Sequence, residues 1–147
     1  MRNFSYDRIN LKILALDIGD QWTGIALSDA SRTIAKPFTT VETGNLTSSL
    51  EQLFAKEKIN EGIIGHPKTM KGTISEQTKK VEEMAALLQQ IFPTLTWKLW
   101  DERLSSKRAE AAKKNISKEE KLRSHAVAAA FILDSYLGYL HIHENLG

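Results

Sequence analysis

The sequence predicts a single α/β domain on a mixed five-stranded sheet. An antiparallel meander comes first, then alternating helices and strands, with helices on both faces. Three observations carry this. The apolar run Lys12-Ile13-Leu14-Ala15-Leu16-Asp17-Ile18 stops abruptly at Gly19-Asp20, as a largely buried strand does. A second extended segment follows it at hairpin distance, and a third comes after that. Beyond residue 46, helical periodicity alternates with short apolar runs.

The second strand is predicted over 22–28, with Gly24 inside it, and the third over about 33–41, where Pro37 is best tolerated at a sheet edge. A helix over 46–58 follows, with Asn45 or Thr47 as its cap. Gly62-Ile63-Ile64-Gly65 is a brief strand ending at Pro67. The next helix spans 75–92, because Val81, Met84, Ala85, Leu88 and Phe92 recur at three- and four-residue spacing, and Pro93 stops it. A strand over 95–100 leads to Asp101-Glu102, then a short helix over 105–114, a polar loop and a last helix over 121–140. The run Ala126-Val127-Ala128-Ala129-Ala130 is small enough to let that helix lie close against a sheet. At 147 residues, 1–147 is expected to be one domain.

Composition narrows the function classes. With 41% hydrophobic and 26% charged residues, the chain reads as an ordinary globular protein. It has no cysteine, which excludes disulfides and zinc–thiolate sites. Residues 1–10 are polar, without an apolar core of signal-peptide length, and no stretch approaches the roughly 20 apolar residues of a membrane span. A cytoplasmic location and no membrane partner are expected. The net charge of +2 does not announce a polyanion partner. Between residues 107 and 123, however, Lys107, Arg108, Lys113, Lys114, Lys118, Lys121 and Arg123 outnumber Glu110, Glu119 and Glu120. Such a surplus either pairs with phosphates or forms a solvated helix end.

Asp17 is the residue to explain. A carboxylate straight after four apolar residues sits where a buried strand reaches the surface. It either closes an Asx turn with Gly19 or ligates a hard cation. Asp101-Glu102 repeats the situation on a second strand. Neighbouring side chains on a strand point to opposite faces, so only one of the pair reaches a given site. Two carboxylates at one sheet edge repel unless a cation lies between them, and two such ligands plus one more group suffice for magnesium or manganese.

Four blocks, in order, resemble the YqgF/RuvX-like family of the RNase H-like superfamily, over about residues 11–140. They are Leu14-Ala15-Leu16-Asp17-Ile18-Gly19 continuing through Gly24-Ile25-Ala26-Leu27-Ser28-Asp29; Ile63-Ile64-Gly65-His66-Pro67 with Gly72; Trp100-Asp101-Glu102-Arg103-Leu104-Ser105-Ser106; and His125 through Leu133 with Tyr136-Leu137. The resemblance implies an RNase H-like fold and a metal-dependent nuclease with three site groups, which fall on Asp17, Glu102 and His125. The family usually has aspartate at the third position. Imidazole there removes a negative charge and suits manganese better than magnesium. On a helix His125 shares a stripe with Ala129, Ile132 and Tyr136, so it should face the sheet beside Asp17, whereas Asp134 lies on the opposite face. Trp22 stands where the family often has arginine, and His66 where it often has leucine.

The resemblance therefore implies phosphodiester hydrolysis with Mg2+ or Mn2+, by Asp17, Glu102 and His125 as catalytic and metal-ligating residues. Arg103, Lys113, Lys114, Lys118, Lys121 and Arg123 would contact the nucleic acid. It suggests 5′-end processing of precursor 16S rRNA in ribosome biogenesis, or resolution of four-way Holliday junctions, which calls for a symmetric homodimer. A non-catalytic nucleic-acid-binding module is the alternative of another class. An actin-type ATPase or sugar kinase shares the Asp17-Ile18-Gly19…Gly24 pattern but needs a second lobe that 147 residues hardly supply.

Overall fold

The computed structural model describes residues 11–67, 75–101 and 117–146. Strands β1 (Lys12–Ile18), β2 (Trp22–Ser28) and β3 (Ala35–Glu42) form the expected meander, and a 3-10 turn (Thr43–Asn45) leads into helix α1 (Leu46–Lys56). Strand β4 (Ile59–His66), helix α2 (Glu76–Ile91), strand β5 (Thr96–Asp101) and helix α3 (Lys118–Leu146) follow. The sheet order is β3-β2-β1-β4-β5. β2 is antiparallel to β1 and β3, while β4 is parallel to β1 and β5. The C-terminal ends of β1, β4 and β5 therefore lie along one edge.

Strand alternation splits the core in two. Leu14, Leu16, Ile25, Leu27 and Ile64 face Leu46, Leu50 and Leu53 of α1 and Val81 and Leu88 of α2. Ile13, Ala15, Ala26 and Ile63 face Ala129, Ile132, Leu133, Tyr136 and Leu137 of α3. The predicted stripe of Ala129, Ile132 and Tyr136 is thus the buried face of α3, and Asp134 is exposed.

Several boundaries differ from expectation for identifiable reasons. β3 begins at Ala35 rather than 33 because the Thr33 and Ile34 amides donate to Asp29 Oδ1, at 2.7 and 2.9 Å, closing a turn. Burial opposes ionisation of Asp29, but these bonds and one from Ser31 Oγ outweigh it and lower its pKa to about 2. Asn45 holds the N-cap position of α1 without a side-chain capping bond, since the 3-10 turn runs straight into the helix. α1 ends at Lys56, and the Lys58 carbonyl accepts from Lys12 N at 2.8 Å. α2 has Ser75 as its cap, accepting from Thr78 N. α3 starts at Lys118 rather than 121 because Ser117 Oγ accepts from Glu120 N at 3.2 Å.

β4 is longer than predicted because it hides a charge. Glu61 is 9% exposed and lies on the α3 face. It accepts from the Tyr136 hydroxyl, and Lys98 Nζ and Arg32 Nη1 stand 3.2 and 3.8 Å from its oxygens. Burial raises the pKa of Tyr136, while its hydroxyl, accepting at 3.0 Å, raises that of Lys98. This network ties the middle of α3 to the sheet at the end remote from Asp17. The predicted helix over 105–114 lies outside the described residues.

Candidate active site

Asp17 is half-buried near the end of β1, on the α3 face with Ile13 and Ala15. Its register partner on β2 is Gly24, whose partner on β3 is Thr40. This row of three carries the start of α3. Thr40 Oγ1 donates to the Leu122 carbonyl at 2.6 Å. A Cβ on Gly24 would lie 1.8 Å from the His125 carbonyl oxygen and 2.7 Å from Ala126 N. Only glycine lets the helix backbone come so close. Directly opposed residues on antiparallel strands have Cβ positions about 4.5–5.5 Å apart. The first turns of α3 therefore rest one strand away from Asp17, and half-buried His125 belongs to that neighbourhood.

The chain just beyond Asp17 is fixed by side chains from two distant elements. Thr43 Oγ1 donates to the Gly19 carbonyl at 2.7 Å and lies 2.9 Å from Thr23 Oγ1. Gln77 Nε2, in the first turn of α2, donates to the Ile18 carbonyl at 3.0 Å. Gly19 N bonds the Trp22 carbonyl at 2.9 Å, so the loop closes on itself as well. Sequence reading missed Thr43, Gln77 and Thr40: each is an ordinary polar residue whose partner is a main-chain or hydroxyl oxygen far along the chain.

A model of the family described as "RuvX: Holliday junction resolvase" matches residues 11–139. The chain belongs to the RuvX family. Among its relatives, a Rubrobacter xylanophilus protein is 34% identical over 127 residues, covering 86% of this chain and 91% of the relative. One from Bacteroides thetaiotaomicron is 37% identical over 131 residues, covering 86% and 95%. Both carry the name "Putative pre-16S rRNA nuclease". RuvC of Thermus thermophilus has the same fold, with a TM-score of 0.56 at 12% identity over 90% of this chain and 97% of RuvC. Its complex with a Holliday junction substrate gives 0.57, again at 12% identity. The RNase H-like fold expected from the resemblance is the fold of this RuvX member.

Of the strand-end pair, Asp101 is described, and it sits on the opposite face of the sheet from Asp17. It is the register partner of His66, on the face where His66 Nε2 lies 3.0 Å from Glu82 Oε1 of α2. Trp100 packs with the opposite, α3-side core. Glu102, Arg103, Lys113 and Lys114 lie outside the described residues. Lys118, Lys121 and Arg123 are exposed on the first turns of α3, next to the row that seats His125.

The donor chemistry in this RuvX chain fits a divalent cation in part. A half-buried carboxylate at a strand end is a suitable oxygen ligand, and an imidazole ligand suits manganese. Among the described residues no three metal-ligating side chains converge.

Proposed function

We propose that the chain is a nuclease that hydrolyses phosphodiester bonds with Mg2+ or Mn2+, acting on the 5′ region of precursor 16S rRNA. The observation that carries this is the row Asp17–Gly24–Thr40, with the backbone of His125 seated on it. In this reading Asp17 supplies an anionic oxygen at the scissile phosphate, and Glu102 and His125 complete the ligand set. Asp101 lies on the α2 face of the sheet, opposite to the face that Asp17 occupies. A divalent cation held by that ligand set would supply activation of water and charge balance at the leaving oxygen. Thr43 and Gln77 hold the main chain after Asp17, so the carboxylate keeps its aim when a polyanion approaches. Arg103, Lys113, Lys114, Lys118, Lys121 and Arg123 meet backbone phosphates, which gives affinity without base readout. No helix among the described residues is long and apolar enough to cross a membrane, and the proposed site of action is the cytoplasm.

The family description favours a second substrate, the four-way DNA junction. That reading requires a symmetric homodimer able to make two paired cuts. The deciding experiment offers a precursor-rRNA leader and a four-way junction, each with magnesium or manganese, to wild type, Asp17→Asn and His125→Asp. Wild type should cut the leader, and Asp17→Asn should not. If wild type cuts neither substrate, or Asp17→Asn cuts as well as wild type, the nuclease reading fails. Junction cleavage alone transfers the activity to the second substrate. Higher magnesium activity in His125→Asp means that the imidazole handicaps the site for that ion, whereas lost activity means that it contributes.

A further inference from the structure

We propose that Phe38 is a stacking platform for an unpaired nucleobase of a bound single strand, in a groove between β3 and the start of α3. The proposal rests on the nuclease reading for its ligand, but its test does not depend on cleavage. Pairing of β2 with β3 runs Ile25 with Thr39 and then Ala26 with Pro37, so Phe38 is the extra residue of a β-bulge and has no cross-strand partner. Bulges re-aim side chains and are frequent beside active sites. Phe38 is 51% exposed and belongs to neither core cluster. A solvated phenyl ring held on a rigid edge strand, contributing nothing to the core, needs another partner.

The surroundings say which. Phe38, Thr39 and Thr40 of β3 form one wall of a groove, and Leu122, Arg123 and Ala126 of α3 form the other. Its inner end is closed at Thr40, whose hydroxyl donates to the Leu122 carbonyl where α3 comes down on β2. Arg123 lines the groove, and the exposed start of the same helix carries Lys118 and Lys121 beside Glu119 and Glu120, so the wall opposite the ring has a small cationic surplus. An aromatic face with a basic track is how single strands are held without sequence preference.

A second copy of the chain adding a strand at this edge is the competing occupant, and β3 is built against it. Pro37 has no N–H to offer, and the bulge breaks the ladder one residue further on.

The test is fluorescence anisotropy of labelled oligonucleotides in chelator, where no cleavage occurs. Phe38→Ala should bind single-stranded RNA about 5- to 150-fold more weakly, the span for losing one stacked base. Duplex RNA, whose bases are already stacked, should bind as before. Phe38→Trp should restore affinity, and Phe38→Leu, apolar but not flat, should not. Single-stranded DNA should show the same loss, because the ring meets the base and not the sugar. Arg123→Ala should lower the salt slope of log K by about 0.7. Unchanged single-strand affinity in Phe38→Ala overturns the proposal, as does equal loss on duplex, full rescue by leucine or a loss confined to one of RNA and DNA. Conversion of a dimer to a monomer by Phe38→Ala also overturns it, making the edge an interface between copies. These outcomes stand whether or not the leader is cut.

Discussion

Replacing Gly24 by alanine tests the closest approach between helix and sheet beside the candidate site. The new Cβ would lie 1.8 Å from the His125 carbonyl oxygen and 2.2 Å from its carbon, where ordinary contact begins at 3.4 Å. The start of α3 must therefore retreat by about 1.6 Å, or β2 must sink by as much. Overpacking of this kind destabilises by roughly 1–3 kcal/mol. At about 2–4 °C per kcal/mol for a domain of this size, the melting temperature should fall by about 2–12 °C. A displacement of about 1 Å at a reacting centre can lower the rate on the order of 100-fold. Cleavage should therefore suffer more than folding does. The obstacle is main chain, so removing the imidazole in a Gly24→Ala, His125→Ala double variant should recover none of the lost stability. Thermal unfolding by circular dichroism, with cleavage measured well below the transition, reads both quantities. A Gly24→Ala protein that melts with wild type, or one rescued by truncating His125, would refute the reasoning that backbone contact at Gly24 sets the helix position.

Three further outcomes follow from the remaining contacts. Tyr136→Phe removes the hydroxyl that joins Glu61 to Lys98 and should lower unfolding free energy by about 1.5–3 kcal/mol in urea titrations at neutral pH. Tyr136 and Lys98 both hold their protons more tightly when folded than when unfolded, where the ordinary values are 10.0 and 10.5. Their contribution is complete below those values and is lost as pH rises through the folded ones, so stability should decline above about pH 10, less steeply in Tyr136→Phe. Asp29 behaves in the opposite sense: its contribution is present above the ordinary value of 3.8 and lost as pH falls through about 2. Asp29→Ala should thus remove part of the acid-side slope between those limits in pH-dependent denaturation. Thr43→Val deletes the hydroxyl bonded to Gly19 and Thr23 and should destabilise by roughly 1 kcal/mol. Cleavage should fall in that variant with little change in substrate affinity, seen as a lower kcat at similar KM.

Local pattern was enough wherever burial has a simple period. β1 was legible because it is buried on both faces, and its apolar run ends where the sheet ends. α2 was legible because its buried positions recur at helical spacing behind a serine cap. Asp17 stood out for the same reason, as a charge where the pattern called for an apolar residue. Glu61 did not stand out, because its neutralising partners Arg32, Lys98 and Tyr136 come from three other segments. Its strand consequently looked shorter than it is. Phe38 looked like one more residue of an edge strand, since a bulge exists only in the pairing of two strands.

The sequence by itself determined the class of fold, the order of the described elements and the choice of Asp17 as a candidate, because these depend on burial along a single segment. The tertiary structure decided which residues share Asp17's neighbourhood. Register pairs Asp17 with Gly24 and Gly24 with Thr40, and the missing side chain at Gly24 admits the backbone of His125. It also turned Asp101 to the far face, beside His66. Register and close approach are relations between distant segments, set by how the sheet and α3 pack as a whole, and no single stretch of residues encodes them.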